Sequence, residues 1–140
     1  MKTNYFYDLW AEEVQFPPSP YVKVQPHHSE DQIGSPEELR AGMDIECVRV
    51  GDDGRHEVTR RLGVIAVGLR YVPGYWLSLR SALSADVITD PECAVMYDGQ
   101  HERLVNVSLI DMGVIPDTAG GWNPAYYMRP VKDDPGTEAR

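Results

Sequence analysis

Only two cysteines, Cys47 and Cys93, occur in the 140 residues, and neither belongs to a C-x-x-C pair. That excludes a disulfide framework and dithiol or zinc-ribbon chemistry, and leaves both as small, reduced core residues. Long hydrophobic runs are missing too. The longest, Leu62 to Leu69, has eight residues including two glycines, far short of the ~20 a membrane-spanning helix requires. The opening MKTNYFYDLWAEEV mixes aromatics with acids and lacks the apolar centre of a signal peptide. The expectation is a soluble protein, intracellular or within a virion, not secreted by a signal peptide and with no membrane partner. There is no G-x-x-x-x-G-K-[ST], and Gly63 and Gly68 do not make a G-x-G-x-x-G, so no nucleotide or other cofactor is expected. Positive charge is scarce as well: 13 Lys and Arg face 22 Asp and Glu, a net −9. General nucleic-acid binding is therefore not expected, because Lys and Arg must replace the counterions of a phosphate backbone.

What remains is ordinary globular material, 42% hydrophobic and 25% charged, enough for one domain. Proline organises it. Five of the eleven prolines fall in residues 17–36 and four in 116–135. Proline fixes φ and cannot donate to a ladder, so the flanks read as extended arms around a core. The expected division is an N-terminal arm over 1–36, a β core over 37–115, and a C-terminal arm and tail over 116–140. The charge divides similarly: −6 over residues 1–46, +3 over 47–82 and −6 over 83–140.

Within the core, Ser35-Pro36-Glu37-Glu38 has the chemistry of a helix start, and Gly42 ends it within about two turns. Met43, Ile45 and Cys47 alternate with Asp44 and Glu46; Gly51–Gly54 supplies a turn, and the strand returns over 55–62. That register sets Asp44 and Glu46 near Arg60 and Arg61. A buried strand is expected over 62–69, a half-buried one over 75–80, a helical turn over 81–86, and a hairpin around Asp98-Gly99. The fold class is mainly β: a small β-barrel or sandwich of about six or seven strands with one short helix and extended Pro-rich terminal arms.

Candidate chemistry is sparse. His27-His28 with Glu30 and Asp31 is the densest group of metal-type ligands, but it lacks the rigid spacing of a metal site, and no metal is expected. Cys93 and His101, on strands expected to pair, are the nearest approach to a thiolate–imidazole couple. Asp90 and Glu92 beside Cys93 disfavour the thiolate. Asp90, Glu92, Asp98, Glu102 and Asp111 offer carboxylates, with no spacing that selects a pair. No catalytic residue is assigned. Arg49, Arg60 and Arg61 form a candidate local anion site, against the alternative that they pair with acids on neighbouring strands. Trp10, Phe16, Tyr21, Trp122, Tyr126 and Tyr127 cluster towards the ends, where aromatic residues serve either a core or a partner surface.

The leading expectation is a non-enzymatic structural protein that binds neighbouring subunits through its β core and arms. It would form a homo-oligomer or larger assembly, one case being a capsid-decorating or head–tail connecting virion component. The alternative is a small acidic inhibitor of the anti-defence type that blocks a nucleic-acid-binding protein. A third class is a small hydrolase using Cys93 and His101 or paired carboxylates.

Overall fold

Alternating apolar residues build one twisted sheet in the computed structural model, which describes residues 11–14, 20–72 and 86–132. Its strands are β1 (Ala11–Val14), β2 (Asp44–Val50), β3 (His56–Val72), β4 (Asp86–Asp98), β5 (Arg103–Ser108) and β6 (Tyr126–Pro130). The order across the sheet is β1-β5-β4-β3-β2-β6. Every pairing is antiparallel except β1 on β5, which is parallel, with Ala11 opposite Leu104 and Val14 opposite Val107. The molecule is mainly β, as its patterning requires. Among the described residues the sheet is open, with no pairing between its edge strands β1 and β6. The barrel closure or second sheet expected from the strand count is thus not among the observed pairings. The short helix is a single 3-10 turn, Pro36–Glu38. Of the earlier expectations, the strand at 75–80 lies outside the described residues, as does the helical turn at 81–86 except for Asp86, which opens β4.

One face of the sheet carries the core: Ile45 and Cys47 on β2, Leu62 and Val64 on β3, Ala94 and Met96 on β4, Val105 and Val107 on β5, and Met128 on β6. Ile33 and Leu39 from the preceding segment, with Leu109, Met112 and Val114 from the loop after β5, cover it. The segment that supplies Ile33 wraps the β6 edge of the sheet. Ile33 N–H donates to the Met128 carbonyl at 2.7 Å, and Val22 forms an isolated antiparallel bridge with Trp122. An edge row of backbone groups, otherwise a template for unwanted pairing, is thereby covered. β6 itself lies within 116–140, the stretch expected as a C-terminal arm, and is held by β2 through Cys47 opposite Met128.

Bulges decide which side chains share a face. The register shifts between Cys47 and Val48, where Cys47 opposes Arg60 and Val48 opposes Val58, so Thr59 is the extra residue. Its hydroxyl donates to the Cys47 carbonyl at 3.1 Å. Strand side chains alternate, so one inserted residue reverses the parity of what precedes it. His56 and Val58 therefore share the second face with Arg61, while Arg60 joins Leu62 and Val64 on the core face. A second shift leaves Ile65 unopposed between Val64 and Ala66.

A third irregularity bends the long β3–β4 hairpin. Val67 opposes Ala94, but Leu69 opposes Thr89. Gly68 sits between them at φ +82°, a left-handed conformation that a side chain disfavours. Beyond the bend, Tyr71 packs on Val95, with Leu69 and Leu104 alongside. The strands expected separately over 55–62 and 62–69 are thus one strand of 17 residues. β4 begins at Asp86, seven residues before the start expected at Cys93.

Candidate functional site

Several charged residues of the sheet are matched to one another. On the second face, Glu46 of β2 is 7% exposed and lies between two arginines: Arg61 of β3 and Arg129 of β6 each donate Nε–H to its carboxylate at 3.0 Å. At the rim of the core face, Asp98 is 2% exposed. Arg60 Nη2 donates to Asp98 Oδ2 at 2.5 Å and His101 Nδ1 donates to the same oxygen at 2.8 Å, while the backbone N–H groups of Gln100 and His101 donate to Oδ1. Burial alone would raise this carboxyl's pKa. The hydrogen bonds from His101 and Arg60, with the Arg60 charge, outweigh it and hold the group down at about 2. Asp98 therefore organises the β4–β5 turn as an anchor that stays ionised at neutral pH. Elsewhere Arg49 pairs with Glu57 at 2.6 Å, and Arg70 with Asp90 at 3.0 Å.

The three candidate anion-site arginines consequently lie in three different places. Arg49 is on the β2–β3 hairpin with Glu57, Arg60 on the core face with Asp98, and Arg61 on the second face with Glu46. Of the pairings expected on β2 and β3, Glu46–Arg61 is present, whereas Asp44 opposes Gly63 and Arg60 reaches across to β4.

The aromatic candidates are used within the chain where they are described. Tyr126 belongs to the core, and Tyr127 is 1% exposed on the opposite face. Tyr21 is half-buried, its phenol pushed up by burial and by Asp111 and Asp117, the former also hydrogen-bonded to it. Trp122 is half-buried at its bridge to Val22. Trp10 and Phe16 lie outside the described residues. The His27–Asp31 group is pulled apart: the His28 ring stacks on Tyr127 at 5.2 Å, while Asp31 accepts from the Ser29 hydroxyl and pairs with Lys132 at 3.5 Å. Among the described residues, no group of three or more His, Cys, Asp or Glu is placed to hold a metal ion, and no helix is long and apolar enough to cross a membrane.

Cys93 and His101 do not meet. His101 is bound to Asp98, and Cys93 lies five residues back along β4, about 16 Å of strand. Both cysteines are buried. Burial pushes the Cys47 thiol up to about 12, with the nearby Arg60 charge only partly opposing it, so it is not a nucleophile at neutral pH.

Left unmatched is apolar surface. Along the β3–β4 hairpin Ile65 is 48% exposed, Val87 53% and Ile88 49%. Nearer the sheet, Val58 and Tyr97 border an open groove of about 580 Å³ that also takes in Asp44, Arg61, Gly63 and Val131. The groove exists because Gly63, with no side chain, stands between Asp44 on one neighbouring strand and Tyr97 on the other. Sequence reasoning passed over Ile65, Val87, Ile88 and Tyr97. The available signal was the run Val87-Ile88-Thr89, three β-branched residues in a stretch assigned to no strand. No protein-family model, curated protein or solved structure matches this chain.

Proposed function

We propose that this protein is a non-enzymatic structural subunit that binds neighbouring copies of itself in a larger assembly. One observation carries the reading: the β3–β4 hairpin runs beyond the strands that flank it and exposes Ile65, Val87 and Ile88. Val87 and Ile88, adjacent on β4, point to opposite faces of the projecting strand pair, so each face presents a large apolar side chain that gains by being covered. The ionisable residues point the same way. Glu46, Asp98, Asp90 and Glu57 each hold an arginine within the chain, which leaves them engaged in the fold rather than open to a substrate. A capsid-decorating or head–tail connecting virion component is one setting for such a subunit, by analogy of architecture alone.

The test is the particle mass by light scattering of the wild type and of Val87→Asp/Ile88→Asp, with far-UV circular dichroism to follow the fold. Both side chains are about half exposed, so the double variant should keep its sheet and fall to the monomer mass. A wild type that is monomeric at every concentration, or a double variant of unchanged mass, overturns the reading.

A further inference from the structure

Three rings meet where the N-terminal segment wraps the β6 edge. His28 of that segment lies nearly parallel to Tyr127 of β6, with centroids 5.2 Å apart and planes at 23°. His56, turned onto this face by the bulge at Thr59, stands edge-on to both: 6.2 Å from His28 at 88° and 5.5 Å from Tyr127 at 71°. His56 Nδ1 lies 2.8 Å from the Tyr127 hydroxyl, to which Arg129 Nη1 donates at 3.5 Å. His28 Nε2 is enclosed and has no hydrogen-bond partner among the described residues. Within the segment His28 N–H donates to Gln32 Oε1 and Gln32 Nε2 to the Pro26 carbonyl, and Ile33 N–H donating to the Met128 carbonyl ties it to β6.

We infer that His28, His56 and Tyr127 form an acid-released clasp: with His28 uncharged, its ring stacks on Tyr127 beside His56 and holds the segment on the β6 edge, and protonation of His28 lifts it off. The charges around the rings give the clasp its direction. A proton added to His28 would find its Nε2 enclosed without an acceptor among the described residues, the His56 ring 6.2 Å away and the fixed charge of Arg129 on the Tyr127 hydroxyl. The carboxylates on the same elements are engaged: Glu46 with Arg61 and Arg129, Glu57 with Arg49, and Asp31 with Ser29 and Lys132. Glu30 is exposed to solvent. Burial lowers the His28 pKa, and the charges of His56 and His27 lower it further; the Pro124 carbonyl opposes them without offsetting them. A ring that resists protonation when folded destabilises its folded position as pH falls below the free-imidazole value of about 6.5. The consequence of release is specific: Tyr127 and the Met128 carbonyl are uncovered, and the β6 edge becomes available for strand pairing.

Hydrogen exchange on the full-length chain tests the clasp, with rates corrected for the intrinsic pH dependence of exchange. Between pH 7.5 and pH 5.5 the Ile33 amide should lose protection severalfold, approaching about tenfold, the limit for one imidazole, while amides of the β4–β5 pairing keep theirs. His28→Phe, which stacks but takes no proton, should hold the Ile33 amide protected at both pH values. His56→Gln, which keeps a polar contact to Tyr127 but removes the His56 charge that disfavours a proton on His28, should reduce the loss, and it decides the matter should His28→Phe fail to fold. Equal protection of Ile33 at both pH values in the wild type, or the same severalfold loss in both variants, overturns the inference.

Discussion

The carboxamide of Asn106 completes the backbone of Tyr71, two strands away. Tyr71 N–H donates to Asn106 Oδ1 at 2.7 Å, and Asn106 Nδ2 donates back to the Tyr71 carbonyl at 2.9 Å. A side-chain amide has the same donor and acceptor as a peptide unit, so Asn106 acts as a one-residue strand for the bent-over hairpin. Replacing it with Leu leaves both Tyr71 groups unpaired beside buried Val95. The expected cost is about 2 to 3 kcal/mol, read as a lower urea midpoint. Amide exchange should quicken first at Tyr71 and its β4 neighbours, and a uniform loss of protection would contradict the assignment.

Asp98 makes the fold sensitive to acid. Its folded pKa of about 2 lies below the ordinary 3.8, so the unfolded chain binds the proton more readily. The stabilisation is complete above pH 4 and is lost as pH falls through 2. Asp98→Asn should lower stability at neutral pH by roughly 1 to 2 kcal/mol and flatten the pH dependence between 4 and 2. Urea titrations across that range measure both effects.

Two glycines with positive φ should respond differently to alanine. Gly113 has φ +73°, and an added Cβ would lie 2.7 Å from the Tyr126 carbonyl oxygen and 3.1 Å from that of Asn123. Gly68 has φ +82° and open space around the same position. Gly68→Ala should therefore carry only the conformational cost, about 1 to 2 kcal/mol. Gly113→Ala must also displace backbone and should exceed about 3 kcal/mol. Thermal unfolding of the two variants side by side provides the comparison.

Buried thiols give a simple probe of global opening. Cys47 and Cys93 are both about 1% exposed or less, and an apolar site suppresses the thiolate that reacts. Neither should react with Ellman's reagent in the native protein, and both should react once urea unfolds it. A fast-reacting thiol at neutral pH without denaturant would mean that the β2–β3–β4 region opens locally.

Local chemistry was readable directly from the residues. The alternation at Met43–Cys47 became β2, Asp98-Gly99 became the β4–β5 turn, and Glu46 found Arg61. The misreadings have a shared cause. Gly63 and Gly68 look like strand breaks, but Gly68 only bends β3, and the pairing resumes at Leu69. The partner of Arg60 could not be read because the inserted Thr59 reverses which of Arg60 and Arg61 faces the core. Bulges are set by how three strands fit together, and a single strand's alternation carries no mark of them. The roles of Asn106 and His28 depend on contacts with residues 35 and 99 positions away, beyond the reach of any local pattern.

The strand order also fixes a timetable. β2 to β5 are neighbours in both sequence and space, so each can pair with the one made before it. β6 must return across some eighty residues to reach β2, and Ile33, His28 and Val22 have nothing to dock on until it does. The segment that precedes β2 in the chain therefore docks only after β6, which follows it. Until β6 arrives, β2 carries an open edge and Glu46 lacks the arginine of β6, so a chain in which β6 has yet to dock is the form most exposed to mispairing.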